Sequence, residues 1–159
     1  VPTPRFLHAS AWTGSVMIVW GGLVGSDPLT GDVYTDTGGR YDPVSDTWSP
    51  TSTGANVPEA RAAFHSFMNQ LPAVWTGSEM IVWGGETAST VDTRTGGRYN
   101  PVTDTWIPTG IDANTPSSGP TFGISWTGTE LITNTTWGGC GLASGRYSPA
   151  TKQNSETGL

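Results

Sequence analysis

The feature that most constrains this chain is that it repeats itself. AWTGSVMIVWGG, from Ala11 to Gly22, returns as VWTGSEMIVWGG, from Val74 to Gly85, with two differences in twelve positions. GGRYDPVSDTW (Gly38–Trp48) returns as GGRYNPVTDTW (Gly96–Trp106), again with two differences. A third, eroded copy runs SWTGTELITNTTWGG (Ser125–Gly139) and then SGRYSPATKQN (Ser144–Asn154). Proline-containing lead-ins open at Val1, Val57 and Thr115. Length variation falls between the fixed blocks, as it does in loops that join packed strands. Such a chain folds as a row of similar units, each hiding its apolar face only against its neighbours. We divide the single repeat domain, 1–159, into units 1–56, 57–114 and 115–159, the last of them degenerate.

Each unit reads as β. MIVW is a short apolar run closed by Gly-Gly, the length of a buried strand and too short for a helix. Trp-Thr-Gly places a turn between two such runs, and YDPVSDTW and YNPVTDTW carry the turn chemistry of a second hairpin. The pattern predicts four short strands per unit, near 7–12, 16–21, 38–42 and 46–51 in the first, and no helix. Eight tryptophans supply the apolar bulk. Burying one removes about 150–250 Å² from water, worth at most about 4–6 kcal/mol.

A four-stranded unit of about fifty residues, with Gly-Gly after its second strand, then a tyrosine and seven positions later a tryptophan, resembles the kelch repeat. The residues that carry the likeness are Gly21, Gly22, Tyr41 and Trp48; Gly84, Gly85, Tyr99 and Trp106; and Gly138, Gly139 and Tyr147, with Asn154 replacing the last tryptophan. The wording is similar to kelch-like repeats of secreted bacterial proteins, which are related to the propeller domain of galactose oxidase. The resemblance implies an all-β protein made of three blades of a β-propeller. Closed propellers need at least four blades, so another copy or a longer parent chain would complete it. The chain spans a near-integral number of repeats, and its two end blades are expected to need partners. Packing between blades is the role expected for Trp20, Trp83 and the Tyr/Trp pairs. Arg40, Arg98 and Arg146, beside the tyrosines, suit either ion pairs and carbonyl binding between blades or an anion-binding ring.

Composition narrows the function. A net charge of −6, with one lysine, Lys152, and six arginines, offers no basic cluster for nucleic acid. No apolar run reaches the length of a membrane span, and no basic-plus-apolar signal segment opens the chain. Low lysine, acidity and Thr/Gly richness point to an extracellular or secreted setting. His8 and His65 occupy matched positions in two lead-ins, which favours strand residues over converging metal ligands. The copper enzymes of the related family need two His, two Tyr and a thioether-linked Cys, and no such grouping stands here. Asp27, Asp32 and Asp36 lie in an acidic loop that fits no EF-hand spacing. Cys140 cannot form an internal disulfide, being the single cysteine. Asn134, in NTT, heads the one acceptable N-glycosylation sequon, since Pro116 spoils the one at Asn114. It falls in the insertion peculiar to the third unit, which predicts a loop. No catalytic residue, metal site or cofactor is expected. Other copies of the chain are the expected partners, in a ring or a filament, and carbohydrate is the alternative ligand, either for a binding module or for the propeller part of a secreted enzyme.

Overall fold

The computed structural model describes residues 1–27, 31–64, 70–89, 93–111, 115, 121–136, 142–151 and 153–157. These form four antiparallel sheets and, among the described residues, no helix. The first unit supplies β1 (Ala9–Trp12), β2 (Met17–Trp20), β3 (Leu23–Asp27), β4 (Gly31–Tyr34), β5 (Gly38–Asp42) and β6 (Thr47–Pro50). The second supplies β7 (Ala73–Trp75), β8 (Met80–Trp83), β9 (Gly96–Asn100) and β10 (Thr105–Pro108). The third supplies β11 (Thr121–Trp126), β12 (Leu131–Thr136), β13 (Leu142–Ser148) and β14 (Gln153–Thr157). Sheet I has the order β1-β2-β5-β6, sheet II β7-β8-β9-β10 and sheet III β11-β12-β13-β14. Strands β3 and β4 form a separate hairpin inserted in the first unit, so part of the stretch expected to be an acidic loop is ladder.

Matched sequence gives matched register. Met17 pairs with Tyr41, and Tyr41 with Trp48. In sheet II Met80 pairs with Tyr99, and Tyr99 with Trp106. In sheet III Leu131 pairs with Tyr147, and Tyr147 with Asn154. The Trp-Thr-Gly turns are held alike: the Thr13, Thr76 and Thr127 hydroxyls each accept an amide from the residue three positions on and donate to its carbonyl.

The period-2 alternation of MIVW now has a three-dimensional meaning. From β8, Met80 and Val82 join a buried cluster with Ala9, Ile18 and Trp20 of sheet I. Their neighbours Ile81 and Trp83 join a second cluster with Leu131 and Tyr147 of sheet III. Sheet II is thus packed on both faces, and every residue of β8 is buried. One motif serves two interfaces because successive side chains point to opposite sides.

Close packing of backbones depends on the Gly-Gly. Gly22 sits at φ 94°, and a Cβ there would meet the Phe6 carbonyl oxygen at 2.6 Å and His8 Cβ at 2.9 Å. Its amide donates to the Arg61 carbonyl of the second unit at 2.8 Å. Gly14, at φ 100°, has nothing within 4 Å of the same construction. Gly14→Ala therefore pays only for its backbone, about 1–2 kcal/mol, while Gly22→Ala adds a steric clash and destabilises by clearly more. Thermal melts of the two variants, side by side, check the ordering.

Candidate functional site

The residues marked by repetition meet at the contacts between sheets. Trp20, fully buried, lies against Trp106 of the next sheet with ring centroids 5.0 Å apart and planes tilted by 54°. Trp106 lies against its own sheet's Tyr99 at 5.0 Å. Trp83, at the position of Trp20, meets Tyr147 of sheet III at 5.8 Å. The tilted geometries suit the quadrupoles of aromatic pairs, each worth about 0.5–1.5 kcal/mol beyond area burial.

Polar contacts repeat with the aromatic ones. Arg40 Nη1 donates to the Pro101 carbonyl at 2.7 Å, and Arg98 Nη1 to the Pro149 carbonyl at 3.2 Å. The arginines therefore bind carbonyls of the following unit, one of the two roles their positions suggested. Arg98 is also paired with Glu79 at 3.7 Å, and Arg146 with Glu130 at 3.8 Å. The Ser52 amide donates to Asp104 Oδ1 at 2.9 Å, again across the contact of sheets I and II. Burial raises the Asp104 carboxyl, but the Tyr99 hydroxyl, the Ser52 amide and Arg40 outweigh it and hold the group below its ordinary range. Asp46 and Asp104 share a left-handed φ of 53°, which brings each carboxylate back onto its own tyrosine: Asp46 onto Tyr41 at 2.8 Å and Asp104 onto Tyr99. At the matching position of the third unit the sequence has Lys152, so Tyr147 lacks a carboxylate of that kind.

Arg5 and Arg61 are working residues that motif reading passed over. Each carries its guanidinium onto the carbonyls flanking the Gly-Gly segment: Arg5 onto Gly21 at 3.1 Å and Thr37 at 2.6 Å, Arg61 onto Gly84 at 3.1 Å and Thr95 at 2.8 Å. The available signal was their matched place in the lead-ins, three and four residues before His8 and His65. Arg61 is 2% exposed, and burial lowers it to about 10, leaving it a cation at neutral pH. His8 is lowered as well, first by burial and then by Arg5.

The same four positions meet different surroundings in the three sheets. In sheet II, Met80, Val82 and Tyr99 are fully buried and Trp106 is 2% exposed, all beneath sheet I. In sheet III, Leu131, Thr133 and Tyr147 are buried beneath sheet II. In sheet I the equivalents face away from sheet II. Met17, Tyr41 and Trp48 are only half-buried there, and the Tyr41–Trp48 ring pair, 5.2 Å apart, is retained without a covering tryptophan among the described residues. Pro2 lies on this face, where a Cβ on Gly39 would meet its Cγ at 2.5 Å, as a Cβ on Gly97 would meet Pro58.

The remaining expectations fall as follows. Asn134 is not in a loop: it lies in β12, paired with Gly123 and Ser144, because the three extra residues enter after this point rather than before it. Its register places it opposite Ser144 as Trp83 stands opposite Gly96, so it occupies the tryptophan's position, and it is exposed. Gly138, Gly139, Cys140 and His65 lie outside the described residues. Asp27 and Asp32 flank the turn of the β3–β4 hairpin. Among the described residues no three His, Cys, Asp or Glu side chains gather, and no helix is long and apolar enough to cross a membrane. A groove of about 360 Å³ opens between sheets I and II beside Trp75, Thr13, Ser15, Ser78 and Asn100.

No protein-family model matches the chain, and no curated protein matches it. The phenols give a pH test of the packing. Tyr34 is pushed up to about 12, first by burial and then by Glu86, and burial likewise raises Tyr99 and Tyr147. Unfolded tyrosines ionise near pH 10, so the folded advantage is full below that pH and is lost as pH climbs towards the folded values. Arg61, lowered, acts in the opposite sense over the same range. Arg5 is lowered by burial like Arg61, and the Tyr41 phenol is raised by its hydrogen bond to Asp46. Four phenols outnumber two guanidinium groups, so the melting temperature is expected to be lower at pH 11 than at pH 8.

Proposed function

We propose that the chain is a non-enzymatic, extracellular structural or adhesive protein built of kelch-like blades, working by association of its end blades with further copies. The observation that carries this reading is the outward face of sheet I. Its Met17, Val19, Tyr41 and Trp48 repeat the set that sheet II buries completely under its neighbour. A surface built to be covered, and half open, is an association surface. The three successive four-stranded meanders and the aromatic contacts between them support the blade assignment. The acidic, lysine-poor composition supports the extracellular setting.

A second reading, binding of carbohydrate, has one observation in its favour. The groove beside Trp75 combines a half-buried indole with the hydroxyls of Thr13, Ser15 and Ser78 and the carboxamide of Asn100. That mixture of one aromatic platform and several hydrogen-bonding groups suits a sugar ring.

Light scattering combined with negative-stain electron microscopy tests the first reading. Particles heavier than one 16.7 kDa chain are expected. A chain that stays monomeric up to hundreds of micromolar would refute association, and binding of oligosaccharides that Trp75→Ala abolishes would establish the second reading.

A further inference from the structure

The two dodecapeptides differ at Ala11/Val74 and Val16/Glu79, and the two eleven-residue motifs at Asp42/Asn100 and Ser45/Thr103. Two of these four differences exchange a carboxylate for an uncharged side chain, in opposite directions along the chain. Both uncharged members, Val16 from the first unit and Asn100 from the second, line the groove of about 360 Å³ between sheets I and II. Val16 reaches it from the β1–β2 turn and Asn100 from the end of β9. Their acidic counterparts are engaged otherwise: Glu79 pairs with Arg98, and Asp42 accepts the Val44 amide and the Ser45 hydroxyl in its own turn. At the contact of sheets II and III the corresponding residues are Glu79 and Ser148. Divergence between near copies thus removes charge from the first groove at two separate points.

No ionisable side chain lines that groove. Arg40 is held by the Pro101 and Pro50 carbonyls and by Asp104, and is not among the lining residues. An anionic ligand would find no cation in the lining and would approach a chain of net charge −6. A cationic one would find no carboxylate there to receive it.

The hydrogen bonds of the groove say which groups have capacity to spare. The Thr13 hydroxyl is spent on its own turn, bonded to the Ser15 and Val16 amides and the Val16 carbonyl. Asn100 Oδ1 accepts the Val102 amide at 2.9 Å and the Thr103 amide at 3.3 Å. Among the described residues, Asn100 Nδ2 and Ser78 Oγ make no hydrogen bond, and both stand with the half-buried Trp75 indole in one lining. A pyranose ring offers a C–H face to an indole and hydroxyls to a donor and an acceptor at its edge. The groove's volume falls within the range of about 300–1,000 Å³ usual for small-molecule sites.

Resting on the carbohydrate reading above and narrowing it, we propose that the groove between sheets I and II binds a residue of an uncharged glycan. Trp75 stacks on the sugar ring, Asn100 Nδ2 donates to one of its hydroxyls, and Ser78 Oγ bonds another. Val16 and Asn100, where the other copies carry Glu79 and Asp42, keep the site free of carboxylates and set its preference for neutral sugars.

Isothermal calorimetry tests this with hexasaccharides of glucose, mannose, galactose and galacturonic acid, the last being the anionic probe. The wild type is expected to bind at least one neutral hexasaccharide and not the galacturonic one. Asn100→Asp keeps an acceptor for the turn, as Asp42 does in the first unit, and removes only the Nδ2 donor. It is expected to weaken binding about tenfold while leaving the melting temperature unchanged. Ser78→Ala is expected to weaken binding by a similar factor, and Trp75→Ala to abolish it. Neutral binding unaffected by both Asn100→Asp and Ser78→Ala would overturn the proposal and leave the carbohydrate reading standing at another place. Tighter binding of the galacturonic probe than of any neutral one would overturn the proposed ligand class. A wild type that binds none of the probes would overturn the proposal and the carbohydrate reading together.

Discussion

Everything in this structure depends on an indole of one sheet reaching an aromatic ring of the next. Trp20 on Trp106 and Trp83 on Tyr147 are the same contact made twice with different partners. A single four-stranded meander has two faces and too little area to stand alone. Stacking solves this only if each unit's projecting side chain finds a receiving surface in the following one. The β2 and β8 motif meets that demand by alternation: Met and Val supply the receiving side, Ile and Trp the projecting side. The duplication of MIVW follows from this geometry, since a unit in the middle of the stack must do both.

The polar contacts turn an apolar stack into one with fixed spacing. Carbonyl oxygens at Pro101 and Pro149 accept from arginines of the preceding unit, and Asp104 accepts the Ser52 amide. These are directional bonds made at the edges of apolar patches, and they set the rotation between sheets that aromatic packing alone leaves loose. Nearer the Gly-Gly segments, Arg5 and Arg61 bind the Gly21 and Gly84 carbonyls and share the Thr37 and Thr95 carbonyls with the Gly21 and Gly84 amides. A buried guanidinium with several carbonyl acceptors is costly to remove, since the acceptors would then be unsatisfied.

Much of this was legible in the sequence, for a physical reason. Repetition fixes equivalences before any fold is known, so strand order and the burial of Tyr99, Trp106 and Tyr147 follow once one unit is understood. Less was legible where the repeat is broken. Asn134 reads as a loop residue because motif spacing places it within the third unit's insertion, whereas strand register puts the extra residues after Leu131–Asn134, the four positions that match Met80–Trp83. The β3–β4 hairpin was hidden because its strands, LVGSD and GDVY, are short and mix polar with apolar residues, with no apolar alternation strong enough to read. Arg5 and Arg61 were hidden because carbonyl binding leaves no motif beyond a matched position.

The same logic makes the half-buried face of sheet I the surface on which the association reading stands. Covalent labelling of tryptophans, located by mass spectrometry at high and at low protein concentration, measures its covering most directly. Trp106 should resist labelling at both concentrations, and Trp48 should be protected when concentrated and labelled when dilute. Equal labelling of Trp48 at both concentrations would contradict the claim that this face is made to be covered by another copy.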